Sequence, residues 1–348
     1  MSAGSERLAD RLVQLPKAEL HMHLESSMRA STAAELAERD GRVRPRSGPF
    51  RNLSEFVVEY EVARDLVGSL DDLNRVAREL VEDAATQGVV WSEVHLVPPT
   101  YAGRLGPDEA VVEAVLDGLG ATAGVVLGVN RGLPMEAAER SLDLALEYAG
   151  RGVVGLGLAG DEAHHPPGRF AALFARAREA GLLALPHGGE GAGPESVRSC
   201  VEELGAARVC HGVRAVEDPA VVELVVERGV ALDVCPSSNV SLQVAPSLAE
   251  HPLPRLLDAG AKVTLNSDGP LFSGATVNDE YRLAAEVHGL DDASLARIAR
   301  TSIEVSSCPS PRRKEALEGV AAWVARPRLE LSAPAPRRAA RRSEPEPP

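Results

Sequence analysis

The 348-residue sequence predicts one α/β domain, a (β/α)8 barrel over residues 1–325, with extra helices inserted between the first two strands. Three observations lead there. Eight short apolar runs alternate with longer amphipathic segments, the rhythm of repeated strand–helix units around a parallel sheet. About 325 residues fall within the size range of such a barrel. An open doubly wound sheet would normally carry a glycine-rich turn after its first strand, and the sequence has none there.

The strands are expected at 18–24, 89–96, 124–129, 153–158, 182–187, 208–211, 231–235 and 263–267. Between them, segment 194–204 places Val197, Cys200, Val201 and Leu204 on one helical face behind Pro194, a favoured first helical residue. Segment 170–180 runs into Gly181, a natural helix stop. Residues 25–88 separate the first two strands, far more than one crossover helix needs. The stretch PFRNLSEFVVEYEVARDLVGSLDDLNRVAREL within them reads as additional helices. Barrel active sites open at the C-terminal ends of the strands, so helices inserted there would form a lid.

From Arg326 onward the chain fills with Pro, Arg and Glu and loses apolar periodicity, which predicts a disordered tail over 326–348. A formal net charge of −14 argues against a nucleic-acid surface, because phosphate binding depends on clustered Lys and Arg. No run approaches the roughly 18 to 20 apolar residues of a membrane span. The N-terminus has no apolar core of a secretion signal, and Cys200, Cys210, Cys235 and Cys308 show no paired short spacing. The expectation is a soluble, cytoplasmic chain with reduced thiols, no membrane or nucleic-acid partner, and a small-molecule substrate.

Histidines cluster at the predicted strand ends. His21 and His23, two apart in ELHMHL, share a face of the first strand. His187 ends the fifth, His211 the sixth, and Asp268 follows the eighth. Imidazoles and a carboxylate meeting at a barrel mouth form a divalent-metal site, and nitrogen-rich donors suit zinc. Zinc lowers the pKa of bound water to about 7 and so supplies hydroxide at neutral pH. Glu190, three residues past His187 in LPHGGEGAG, is placed to donate a proton; His211 is either a further ligand or the group that orients the attacking oxygen. His95 in EVHLVPP is a candidate pocket-lining residue, whereas His164, His165, His251 and His288 fall in predicted loops or helix ends and carry no assigned chemistry.

The motifs PKAELHMHLESSMR, LAGDEA, HGGEGAG, CHGVRA, CPSSN and NSDGP, in that order over roughly residues 15–307, resemble the adenosine deaminase family of metal-dependent hydrolases. The resemblance implies His21, His23, His187 and Asp268 as ligands of one zinc ion per chain. It implies Glu190 as the acid that protonates purine N1 while hydroxide attacks C6. His211 would orient that oxygen, and Asp268 would also hydrogen-bond it. Substrate contacts are implied from the Gly160 backbone and from Glu25 near a ribose. The implied activity is hydrolytic deamination of adenosine or a related 6-aminopurine or amino-heterocycle, with release of ammonia.

Three positions depart from the family pattern. The family commonly has a second aspartate where this chain has Gly269, often glycine where it has Ser26, and often aspartate where it has Gly157. Loss of a hydrogen-bonding group weakens discrimination for the atom it would have paired, so the departures imply altered substrate choice. The alternatives are a ligand-binding barrel without turnover, or an amide or ester hydrolase built on the same centre, since fold alone does not fix the chemistry. A cytidine-deaminase site is excluded, because no H-x-E with P-C-x-x-C occurs.

Overall fold

In the computed structural model, which describes residues 3–326, eight parallel strands stand in sequence order around a barrel. They are β1 (Lys17–His23), β2 (Val89–Leu96), β3 (Ala123–Asn130), β4 (Val153–Ala159), β5 (Leu183–Gly188), β6 (Arg208–His211), β7 (Ala231–Val234) and β8 (Lys262–Leu265). Each expected strand is present, β2 and β6 with the expected bounds and the others with ends displaced by at most two residues. Residues 327–348, nearly all of the expected tail, lie outside the described residues.

The barrel closes through the candidate site itself. Beyond the end of β8, Asp268 N–H donates to the His21 carbonyl and His23 N–H donates to the Asp268 carbonyl, both at 3.1 Å. The eighth strand ends earlier than expected because side chains take over its backbone groups: Ser267 N–H donates to Glu19 Oε1 at 3.1 Å, and Asp268 turns into the left-handed region at φ 59°. Non-glycine residues rarely adopt that conformation, which persists where surrounding contacts enforce it.

Residues between β1 and β2 form helices Ala30–Asp40, Leu53–Leu66 and Leu70–Thr86. Asn52 and Ser69 cap the second and third of these, accepting from Glu55 N–H and Asp72 N–H. Helix Leu53–Leu66 lies over the mouth. Its apolar face meets the turn after β8 in a small cluster that includes Phe50, Leu53, Phe56, Tyr60 and Phe272, with Phe56 and Phe272 edge to face at 5.2 Å. The expected lid is therefore present.

One helix lies outside the expected pattern. Ala3–Val13 covers the N-terminal end of the barrel, with Leu12 and Leu15 fully buried below it and Arg11 paired to Asp292 at 3.0 Å and stacked on Trp323. Two of its packing partners lie some 280 to 312 residues away in sequence, although Leu8, Leu12 and Leu15 at i, i+4 and i+7 were a local signal for it. Among the described residues no helix is long and apolar enough to cross a membrane. All four cysteines are buried free thiols.

Below the mouth the barrel carries a buried ionic layer. The fully buried Arg208 guanidinium donates from Nε to Asp233 at 2.8 Å and from Nη2 to Glu93. Thr264 Oγ1 donates to the other Asp233 oxygen at 2.8 Å, and Ser307 N–H and Oγ donate to Glu93 at 2.7 Å. Every charge in the layer thus has partners, the condition under which buried ions are tolerated.

Candidate active site

Alternation along β1 sends His21 and His23 to the same side, and the ends of β5 and β6 bring His187 and His211 beside them. His21 Nε2 and His23 Nε2 each lie 3.1 Å from His187 Nε2, and Asp268 Oδ1 lies 3.6 and 3.5 Å from the first two. His21 Nδ1 is 3.2 Å from the Asp233 carbonyl. A carbonyl can only accept, so the His21 proton sits on Nδ1 and its Nε2 presents a lone pair.

This donor set fits zinc. Bonds of about 2.0 to 2.1 Å in a tetrahedron separate the ligand atoms by about 3.3 Å, close to the 3.1–3.6 Å found here. Burial lowers His23 to about 4 and holds His187 well below its ordinary pKa, so both imidazoles are neutral at pH 7. Imidazole nitrogens converging this closely, with the His21 Nε2 lone pair among them, suit a shared cation. Cys210 and Cys235 stand close enough to the histidines to be considered as ligands, but Cys235 Sγ lies 3.3 Å from His21 Nδ1, the nitrogen turned away from the cage, and Cys210 Sγ lies 3.8 Å from His95 Nε2.

Beside the cage, His211 Nε2 lies 3.4 Å from Glu190 Oε1 and 4.0 Å from Asp268 Oδ2. Ser238 Oγ donates to Asp268 Oδ2 at 2.6 Å. Glu190 is half-buried, and desolvation, with Asp268 and then Glu162 nearby, pushes its carboxyl well above the carboxylate range, which favours the protonated form. The turn that carries it is not a loose surface turn. The Glu162 carboxylate accepts from four successive N–H groups, Gly189 at 2.6, Glu190 at 3.1, Gly191 at 2.6 and Ala192 at 3.1 Å. Sequence reading gave Glu162 no role; its only signal was its place in the LAGDEA motif.

The structure thus brings His21, His23, His187, Asp268, Glu190 and His211 together. Glu25 lies at the rim of the same mouth, fully buried, with its carboxylate accepting from Tyr60 OH at 2.6 Å and from Tyr101 OH. Gly160 sits farther out in the turn after β4, at φ 99° beside Asn130. His95 packs against the rings of His21, His23 and His187 at 5.0–5.6 Å. A Cβ at Gly157 would come within 2.9 Å of His95 Nδ1. The imidazole occupies the room an aspartate at 157 would need.

Gly269 and Ser26 are likewise coupled. A Cβ at 269 would meet Ser26 Cβ and Oγ at 2.8 Å, while the serine hydroxyl reaches the His23 and Asp268 carbonyls at 3.2 and 3.3 Å. Gly269→Asp alone is expected to destabilise the protein by roughly 1–3 kcal/mol through overpacking, and Ser26→Gly in the same chain to restore most of the loss. Chemical denaturation of the two single variants and the double variant measures the coupling; additive effects would show that the two side chains do not compete for the space.

Comparison with known proteins assigns the chain. The family model described as adenosine deaminase matches residues 16–323. The chain belongs to the adenosine deaminase family. It is 38% identical over 341 residues to a Streptomyces coelicolor protein whose name reads adenosine/adenine deaminase, a match spanning 92% of this chain and 99% of that one. Among solved structures, an adenine deaminase from Arthrobacter aurescens superposes with a TM-score of 0.81 at 30% identity, covering 89% of this chain and 99% of the other. An amidohydrolase from Burkholderia ambifaria with bound zinc gives 0.78 at 25% identity, covering 92% and 96%. This family member is a deaminase-like aminohydrolase, which separates the enzyme reading from that of a ligand-binding barrel.

Proposed function

We propose that this aminohydrolase is a zinc-dependent deaminase of 6-aminopurines that takes the free base adenine in preference to adenosine. The observation that carries the reaction class is the adjacency of the His21, His23, His187 and Asp268 cage to the Glu190 carboxyl, with His211 Nε2 between them at 3.4 Å from Glu190. Zinc held in the cage would act as a Lewis acid that makes water nucleophilic at neutral pH.

The chain's own side chains supply the rest. Glu190 holds a proton where a ring nitrogen can receive it, and protonating that nitrogen draws electrons from the adjacent amino-bearing carbon. Asp268 Oδ2, already a hydrogen-bond acceptor for Ser238, can accept a proton from the attacking water. That water supplies the oxygen of the product, and the amino group, taking the proton that Asp268 accepted, leaves as ammonia. Phe56, Tyr60 and Phe272 roof the site, giving a planar heterocycle an apolar ceiling and shutting out bulk water.

The preference for the base rests on Glu25. Each oxygen of the buried Glu25 carboxylate already accepts from a tyrosine hydroxyl, so a sugar hydroxyl would have to share its lone pairs with both phenols. Burial, then the Glu25 charge, raises both phenols well above their ordinary pKa, so they remain donors. The names of the relatives support the same direction, one for adenine and one for adenosine/adenine. Ammonia release from adenine is expected to show a kcat/KM at least about tenfold above that from adenosine, the discrimination one unmet polar contact supports. Equal or better use of adenosine would remove the base preference. Release from neither, with zinc fully loaded, would sink the deaminase assignment.

A further inference from the structure

His211 takes part in none of the close nitrogen contacts of the cage but faces Glu190 and Asp268, and its usefulness depends on which ring nitrogen carries the proton. An N–H aimed at the attacking oxygen stabilises negative charge there; a lone pair in the same place repels it. The backbone of the residue is fixed, at φ 64° in the left-handed region, so the tautomer is the remaining variable.

A run of buried contacts behind the ring settles it from a fixed starting point. Leu253 N–H donates to His251 Nδ1 at 3.2 Å. His251 is 3% exposed, and burial, with His288 nearby, lowers it to about 3. It is therefore neutral, with its single proton on Nε2. That nitrogen lies 3.1 Å from Asn239 Oδ1, so the amide oxygen of Asn239 must face it. The Asn239 NH2 then faces the other way, 3.1 Å from His211 Nδ1, which must accept. A neutral imidazole accepting at Nδ1 carries its proton at Nε2, the atom directed at Glu190 and Asp268. Asn239 is fully buried, so no water competes for these atoms.

We infer that Asn239 and His251 are positioning residues that fix the Nε2–H tautomer of His211, with the Leu253 amide as the anchor that sets the direction of the whole chain of hydrogen bonds. The inference rests on the deaminase reading for its kinetic consequence but not for its structural one. Asn239 stands two residues beyond the part-buried Ser237–Glu280 contact, in the CPSSN motif, and His251 in a segment to which sequence reading gave no chemistry.

Nitrogen-15 spectra of the zinc-loaded protein labelled at histidine, assigned through a His211→Gln variant, test the tautomer directly. The expected spectrum shows His211 with Nε2 protonated and Nδ1 bare. A Nδ1–H signal in the wild type would overturn the inference whatever the substrate proves to be. Asn239→Leu removes the donor and is expected to lower kcat about 10- to 100-fold, the range for lost supporting contacts, with KM within threefold and zinc content unchanged. His251→Gln, whose amide can still donate to Asn239 Oδ1, is expected to retain most of the activity that His251→Leu loses. Wild-type kcat in Asn239→Leu, or equal loss in both His251 variants, would overturn the inference. If Asn239→Leu does not fold, the wild-type spectrum and the His251 pair decide.

Discussion

Glu190→Gln is expected to bind zinc as the wild type does and to lose at least about 10²-fold in kcat, the usual scale of a lost general acid. Glutamine keeps the shape and a hydrogen bond but has no proton to give. The turn should survive the change, because the four amides that hold it donate to Glu162 rather than to the Glu190 side chain. Metal analysis and steady-state ammonia release on the same sample separate the two properties. Activity within threefold of wild type would remove Glu190 from the chemistry. The same reasoning gives the sign of the pH dependence. The working form of Glu190 is the protonated one, and burial raises its pKa, so kcat is expected to fall on the alkaline side as the proton is lost.

How much of this was legible in the sequence follows from the distance over which each feature is encoded. The eight strands and the lid helices are written in local periodicity, and the ligands fall at strand ends that the barrel necessarily brings to one face. His21 and His23 needed only a spacing of two. What the sequence could not express were pairs whose members are far apart. Ser26 and Gly269 read as two separate departures from the family pattern until 2.8 Å separates one from the other's missing Cβ. His95 and Gly157 are the same case, a ring occupying the space above a glycine. Glu162 and His251 act through backbone amides and a neighbouring amide side chain, and no residue type or interval announces such contacts. The terminal helix Ala3–Val13 has a local apolar spacing, but two of its partners lie at the other end of the chain.

The largest effect on stability is expected at Arg208, which supplies the cation of the ionic layer beneath the cage. Arg208→Met keeps the apolar stem and deletes the guanidinium, leaving Asp233 and Glu93 fully buried without their cation. Breaking one side of a buried ion pair is strongly destabilising, by roughly 3–5 kcal/mol, because the partner's desolvation is no longer offset. Denaturant unfolding of wild type and variant measures the loss. A change under about 1 kcal/mol would mean that the carboxylates find other partners or take up protons at little cost. The layer also reaches the chemistry, since the residue whose side chain Arg208 holds is the one whose carbonyl accepts from His21 Nδ1 at 3.2 Å. Loosening Asp233 frees the His21 ring to rotate or change tautomer, and lost supporting contacts of this kind weaken metal binding about 10- to 100-fold. Weaker zinc affinity in Arg208→Met at temperatures where the variant is fully folded would show that the ion layer orients a ligand as well as holding the barrel together. Undiminished affinity in the folded variant would confine Arg208 to stability.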